Sequence, residues 1–150
     1  MSSNVKHQET IDYFLKIVWQ TVANKYNHLV SEFGITQSIS YLLININEKE
    51  GTTVSQAATL LGLKSTSLSR MLRQVEEMGL IYRESNAGDK RSVKIYLTET
   101  GKQKRHQARV LVRQFNNYLD DHISENDREA LIRILNKIMK LTGTFKPGNF

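Results

Sequence analysis

The sequence predicts a mainly α-helical chain with one small β-hairpin between its fourth and fifth helices. Three observations carry the prediction. Apolar residues recur at helical spacing in six segments, glycines punctuate the segment ends, and the apolar period falls from 3.6 to 2 over one stretch only, after Gly79.

Ile11, Phe14, Leu15, Val18, Val22, Tyr26, Leu29, Val30 and Phe33 mark a first helix of about six turns, stopped by Gly34. Thr36 is placed to cap a second helix that buries Ile39, Leu42, Leu43 and Ile46. A third opens on Thr53, Val54, Ser55 and Gln56. That order fits a capping box, in which hydroxyl and amide each satisfy the other residue's backbone N–H. It is expected to bury Val54, Ala57, Ala58 and Leu61 and to end at Gly62. The fourth helix opens near Lys64 or Ser65, turns Leu68, Met71, Leu72 and Val75 inward, and ends at Gly79. Residues 80–83 read as a short strand, and Val93, Ile95 and Leu97 alternate with Lys94 and Tyr96 as a half-buried strand does. The polar residues 84–92, with Asn86 and Gly88 for turn chemistry, read as a long basic tip on a two-stranded hairpin. Thr98 caps a long fifth helix carrying Ala108, Leu111, Val112, Phe115 and Leu119. Ser124 caps a sixth, with Asp127 at its third position and Leu131, Ile134, Leu135, Ile138 and Leu141 as its apolar set. The tail, residues 143–150, holds two glycines and the only proline and is expected to fray.

At 150 residues the chain suits one domain, and it carries no cysteine. That excludes a disulfide framework, thiolate metal sites and thiol redox chemistry. No apolar run approaches the roughly 20 residues of a membrane span, and residues 1–8 are polar, so a cytoplasmic protein without a membrane partner is expected. The net charge of +6 is localised. Residues 1–63 carry four basic and five acidic side chains, residues 64–109 eleven and five, and residues 110–150 six and five. A surplus confined to the middle third points to a polyanionic partner.

Two short helices joined by a glycine turn and followed by a basic hairpin make a winged helix-turn-helix, here about residues 36–97. With one face of the fourth helix held to the core, the opposite face shows Ser65, Thr66, Ser69, Arg70 and Arg73, and no acid until Glu76. Small hydroxyls at a helix N-terminus can enter a major groove, and the arginines can reach phosphate or guanine. In the hairpin tip Asp89 stands two residues from Arg91, placed to orient the Arg or the loop. A positive tip on a stiff ribbon can follow duplex DNA into a minor groove. The long helices over 8–34 and 98–142 offer more apolar stripe than one small domain needs, which points to a C₂ homodimer.

Gln56–Ala57–Ala58–Thr59–Leu60–Leu61–Gly62, Ser67–Leu68–Ser69–Arg70, Glu76–Glu77–Met78–Gly79–Leu80–Ile81–Tyr82–Arg83, Asp89–Lys90–Arg91 and Leu97–Thr98–Glu99–Thr100–Gly101 follow one another in an order and spacing that resembles the MarR (multiple antibiotic resistance regulator) family. The resemblance implies a homodimer whose first, fifth and sixth helices interlock. It also implies binding to a pseudo-palindromic DNA operator, usually to repress transcription. By it, Ser65, Thr66, Ser67, Ser69, Arg70 and Arg73 fall on a recognition helix, and Asp89, Lys90 and Arg91 on a wing.

Many members respond to small aromatic acids held between the dimerisation helices and the winged part. Trp19, Tyr26 and Tyr41 would border such a pocket, although aromatics at helical spacing also serve as plain packing. His7, His28, His106 and His122 are scattered, with none at i, i+4 spacing, so no metal site is expected. No nucleophile elbow, phosphate-binding loop or HExxH stands in the sequence, and neither catalysis nor a cofactor is expected. A winged-helix module for protein–protein contact is the alternative. It is disfavoured because interface cores prefer aromatic and apolar anchors to serines and arginines.

Overall fold

In chain order the elements are α1 (Ile11–Ser31), α2 (Gln37–Asn45), β1 (Thr52–Thr53), α3 (Val54–Leu61), α4 (Ser65–Glu77), β2 (Ile81–Asn86), β3 (Asp89–Leu97), α5 (Glu99–His122) and α6 (Glu125–Thr144). The computed structural model describes residues 9–86 and 88–148, and of Asn86, Asp89, Lys90 and Arg91 only the backbone. The polar segment 1–8, Ala87 of the expected tip and the last two tail residues lie outside the described residues. The chain forms two compact units, Met1–Leu111 and Val112–Phe150.

Side-chain caps set where four of the helices begin. Thr36 Oγ1 accepts the Ile39 N–H at 3.2 Å. Thr53 and Gln56 make the full reciprocal box, at 3.1 Å to the hydroxyl and 2.9 Å to the amide oxygen. Thr98 Oγ1 accepts from Gly101 N–H at 3.0 Å, and Ser124 Oγ from Asp127 N–H at 3.2 Å. Between α3 and α4 the chain turns within three residues, and Gly62 takes φ +61°, the left-handed conformation that residues with a Cβ resist.

In the first unit, Ile39, Leu42, Leu43 and Ile46 from α2 and its end meet Ala57, Leu68, Leu72, Val75, Leu80, Ile81, Ile95 and Leu97 in one buried cluster. Val54, Ala58, Leu61 and Met71 pack on that cluster half-buried, where the sequence placed them inside. They sit on the flanks of their helices, where a stripe meets solvent. The second unit has no fully buried residue on α6. Leu131, Ile134 and Leu141 are about half exposed, and Arg128 Nε pairs with Asp120 Oδ1 at 3.0 Å.

Three expectations need correction. The sheet has three strands in the order β1-β3-β2, all antiparallel, not two. β1 is only two residues, too short to show a period of 2. Second, residues 84–92 are not one long loop. β2 continues to Asn86 and β3 begins at Asp89, with Glu84 opposite Lys94 and Ser85 opposite Val93. A ladder is built from backbone groups, so polar side chains on the solvent side do not stop it. The tip is therefore short and the wing longer. Third, α6 runs through Gly143 to Thr144 before the tail begins, as the hydroxyls of Thr142 and Thr144 bond back to Ile138 and Leu141 carbonyls.

Candidate nucleic-acid interface

α4 buries Leu68, Leu72 and Val75, and that choice of face fixes what the other side shows. Ser65, Thr66, Ser67, Ser69, Arg70 and Arg73 are all exposed. Ser65, Thr66, Ser69, Arg70 and Arg73 line one shallow depression, and Ser67 lies outside it, on the flank toward Met71. Lys64, the N-cap of α4, supplies no side-chain acceptor to the first turn. The amides there are the kind that phosphate oxygens satisfy, and the helix dipole favours the same anion.

The first acid on this helix is already engaged. Arg83 of β2 donates from Nε to Glu76 Oε2 at 3.1 Å, and its Nη2 reaches the same oxygen. The Arg83 hydrogen bond holds the Glu76 carboxyl below the usual carboxylate range, and the bond in turn raises the Arg83 guanidinium. The pair ties the far end of α4 to the root of the wing. A lowered carboxyl contributes stability above its unfolded pKa and loses it as pH falls through the folded one. Glu76→Gln should therefore cost up to about 1 kcal/mol near neutrality, since both side chains are more than a third exposed. The gap from wild type should narrow as the pH falls through the lowered value of the folded carboxyl, and so be smaller in acid, at about pH 3, than near neutrality. Urea unfolding of both proteins at the two pH values checks this; an equal gap at both would remove the ionic pair as the cause.

β2 and β3 carry the wing. On one side of the ribbon Tyr82 and Tyr96 are directly opposite and stack, with centroids 5.4 Å apart and planes 18° from parallel. Lys94 Nζ donates to the Glu50 carbonyl at 3.0 Å and Arg105 Nη1 to Glu48 Oε2 at 2.7 Å, so β3 and α5 brace the turn before β1. Asp89, Lys90 and Arg91 open β3, and their side chains lie outside the described residues.

Of the three aromatics singled out in the sequence, Trp19 of α1 and Tyr41 of α2 come together. They line a groove of about 580 Å³ with Leu60, Leu61, Leu63 and Met71. Tyr26 does not belong to this groove. It stands two turns farther along α1, about 10 Å on. Among the described residues no group of three His, Asp or Glu is gathered for a metal, and no helix is long and apolar enough to cross a membrane.

Among the partnerships that sequence reasoning missed are Arg83 with Glu76, Arg105 with Glu48, and Gly101 with the Leu80 backbone. The strand period would have put Arg83 on the same face of β2 as buried Ile81, the sole sequence signal for its partnership with α4. Nothing in the sequence announces the other two, because their partners are 57 and 21 residues away.

A family model described as the MarR family matches residues 35–93. The organic hydroperoxide resistance transcriptional regulator of Bacillus subtilis (strain 168) is 32% identical over 98 residues, which are 65% of this chain and 67% of that protein. The crystal structure of the S. aureus MepR–DNA complex has a TM-score of 0.82 at 24% identity, covering 87% of this chain and 97% of MepR. AbsC from Streptomyces coelicolor, a MarR family transcriptional regulator, has a TM-score of 0.81 at 22% identity, covering 96% of this chain and all of AbsC (100%). At these identities the two structures share the fold.

Proposed function

The chain belongs to the MarR family, and from that premise we propose that it is a homodimeric repressor that reads a pseudo-palindromic operator with α4 and straddles it with the wing. As a transcriptional regulator of that family it is a DNA-binding protein and not an enzyme. The observation that carries the finer assignment is the exposed face of α4, serine- and arginine-rich, without an acid before Glu76 and with an uncapped first turn. Ser65, Thr66, Ser67 and Ser69 offer hydroxyls to base edges and phosphates, and Arg70 and Arg73 reach guanine or phosphate. Lys90 and Arg91 follow the minor groove, with Asp89 orienting Arg91.

Dimerisation is supported by the apolar surface that a single chain leaves open. Ile11, Phe14 and Val18 of α1 are more than half exposed, and Leu131, Ile134 and Leu141 of α6 about half. A two-fold axis would bury such faces against their own copies and set two recognition helices about 34–36 Å apart. The DNA-reading part is then about residues 36–97, and 8–34 with 98–142 serve the dimer.

A small aromatic acid in the Trp19–Tyr41 groove is the proposed effector. Met71 lines that groove from the recognition helix itself, so an occupant would touch the element that reads DNA. The Bacillus relative's name links that protein to organic hydroperoxide resistance. This chain has no cysteine, so thiol oxidation cannot be its signal.

The test is a fluorescence-anisotropy titration against a duplex bearing the inverted repeat nearest its own gene, over a range of salt. A Kd of about 10⁻⁸ M or tighter is expected, at least about a thousandfold below that for unrelated duplex. Arg91→Ala should weaken binding to every duplex and flatten the salt dependence by about 1.8, two phosphate contacts per dimer. An unchanged slope would remove Arg91 from the interface. Failure of the wild type on all duplexes would favour a protein-interaction module instead.

A further inference from the structure

We infer that Asn27 is a positioning residue for DNA recognition: from α1 it caps α2, and so fixes the angle at which the DNA-reading part leaves the helix proposed to dimerise. The inference rests on the proposed function and adds to it a residue outside both α4 and the wing.

Asn27 Oδ1 accepts the backbone N–H of Gln37 at 2.7 Å. Gln37 is the first residue of α2, and its N–H is one of the donors that a helix start leaves without an intrahelical partner. The same helix already has a local cap, since Thr36 Oγ1 takes the Ile39 N–H. The two caps differ in what they require. Thr36 would start α2 in any orientation relative to α1, because cap and helix are contiguous. The Asn27 bond forms at one orientation only, because its acceptor belongs to another helix, ten residues back across the corner.

The rest of that corner is apolar and undirected. Val30, Phe33, Ile35 and Ile39 pack there, and such contacts tolerate rotation better than a single hydrogen bond does. Asn27 itself is exposed, so its amide makes no core contact that would explain an asparagine, a poor helix former, in the interior of α1. Beyond the corner α2 is locked to α3 and α4 through Leu42, Leu43, Ala57, Leu68 and Leu72, all buried. A change of angle at Asn27 therefore carries the recognition helix with it. In a two-fold dimer that angle sets the separation of the two recognition helices, and with it the half-site spacing that fits.

Three proteins test this: wild type, Asn27→Ala and Asn27→Asp. Each is titrated against duplexes whose half-sites are moved apart or together in single base-pair steps, with the thermal midpoint measured in parallel. Wild type should prefer one spacing. Asn27→Ala should stay folded and lose about three- to tenfold of that preference, the range expected for one hydrogen bond. Asn27→Asp keeps an acceptor oxygen for the same N–H and should restore the wild-type profile. An unchanged profile in Asn27→Ala overturns the inference, and so does equal weakening on every spacing together with a lowered midpoint, which would be a stability role alone. Absence of DNA binding by wild type would instead overturn the proposed function, and is visible before any variant is made.

Discussion

Gly101→Ala should destabilise the protein by about 3 kcal/mol or more, the upper end of what overpacking a core costs. A Cβ at this position would stand 1.9 Å from the Leu80 carbonyl oxygen and 2.9 Å from its carbon. Both are backbone atoms, so no side chain can swing aside. Nor can either segment back away. The Leu80 carbonyl accepts the Thr98 N–H at 3.1 Å, and the Thr98 hydroxyl donates to the Gly79 carbonyl at 2.6 Å while accepting from Gly101 N–H. Leu80 is itself buried in the core cluster. The start of α5 is thus clipped to the turn between α4 and β2 by two hydrogen bonds, and the clip closes only over a residue without a side chain. Gly143 provides the control. It lies within α6 with nothing within 4 Å of an added Cβ, so Gly143→Ala should be neutral or stabilising by up to about 1 kcal/mol. Urea midpoints of the two variants decide the matter; Gly101→Ala within about 0.5 kcal/mol of wild type, the scale of ordinary surface changes, would refute the clip.

That clip marks where the sequence stops being informative. The caps at Thr36, Thr53, Thr98 and Ser124 were readable because a cap and its helix are neighbours in the chain. The inward face of α4 was readable because its period repeats over three turns and its opposite face carries no competing apolar residue. The motif from Leu97 to Gly101 could be matched to a family, yet the reason for its glycine appears only once the Leu80 carbonyl lies against it. β1 was invisible for a similar reason. Two residues, Thr52 and Thr53, become a strand solely because Ile95 and Lys94 lie alongside. The extent of the wing is hidden in the sequence because Glu84 and Ser85 read as loop polarity, whereas on the ladder they lie opposite Lys94 and Val93. Tyr26 is a groove candidate in the sequence because it is an aromatic on a helix expected to border the pocket, and two helical turns remove it.

Charge reversal on α4, the proposed recognition helix, should have the largest effect on DNA binding. Arg70→Glu with Arg73→Glu would place four reversed charges in the proposed dimer, where phosphates or guanine edges are expected. Each lost arginine contact is worth about 1–3 kcal/mol, so operator affinity should fall by a thousandfold or more. The fold should not notice. Both side chains are exposed on the face opposite Leu68 and Leu72, and surface changes of this kind stay within about 0.5 kcal/mol. A circular-dichroism melt unchanged beside an anisotropy titration that no longer saturates is the expected pair of results; retained operator binding would remove α4 from the interface. The two arginines can then be separated by a milder change. Arg→Lys keeps the charge and loses the planar fork that grips a guanine edge or a phosphate in two places. If Arg70 reads a base, Arg70→Lys should leave the salt slope alone and blur preference at one position of each half-site in a selection from random duplexes. If Arg73 holds a phosphate as a point charge, Arg73→Lys should change neither. On the proposed reading, charge would set how tightly α4 holds DNA, and the fork would decide where it holds it.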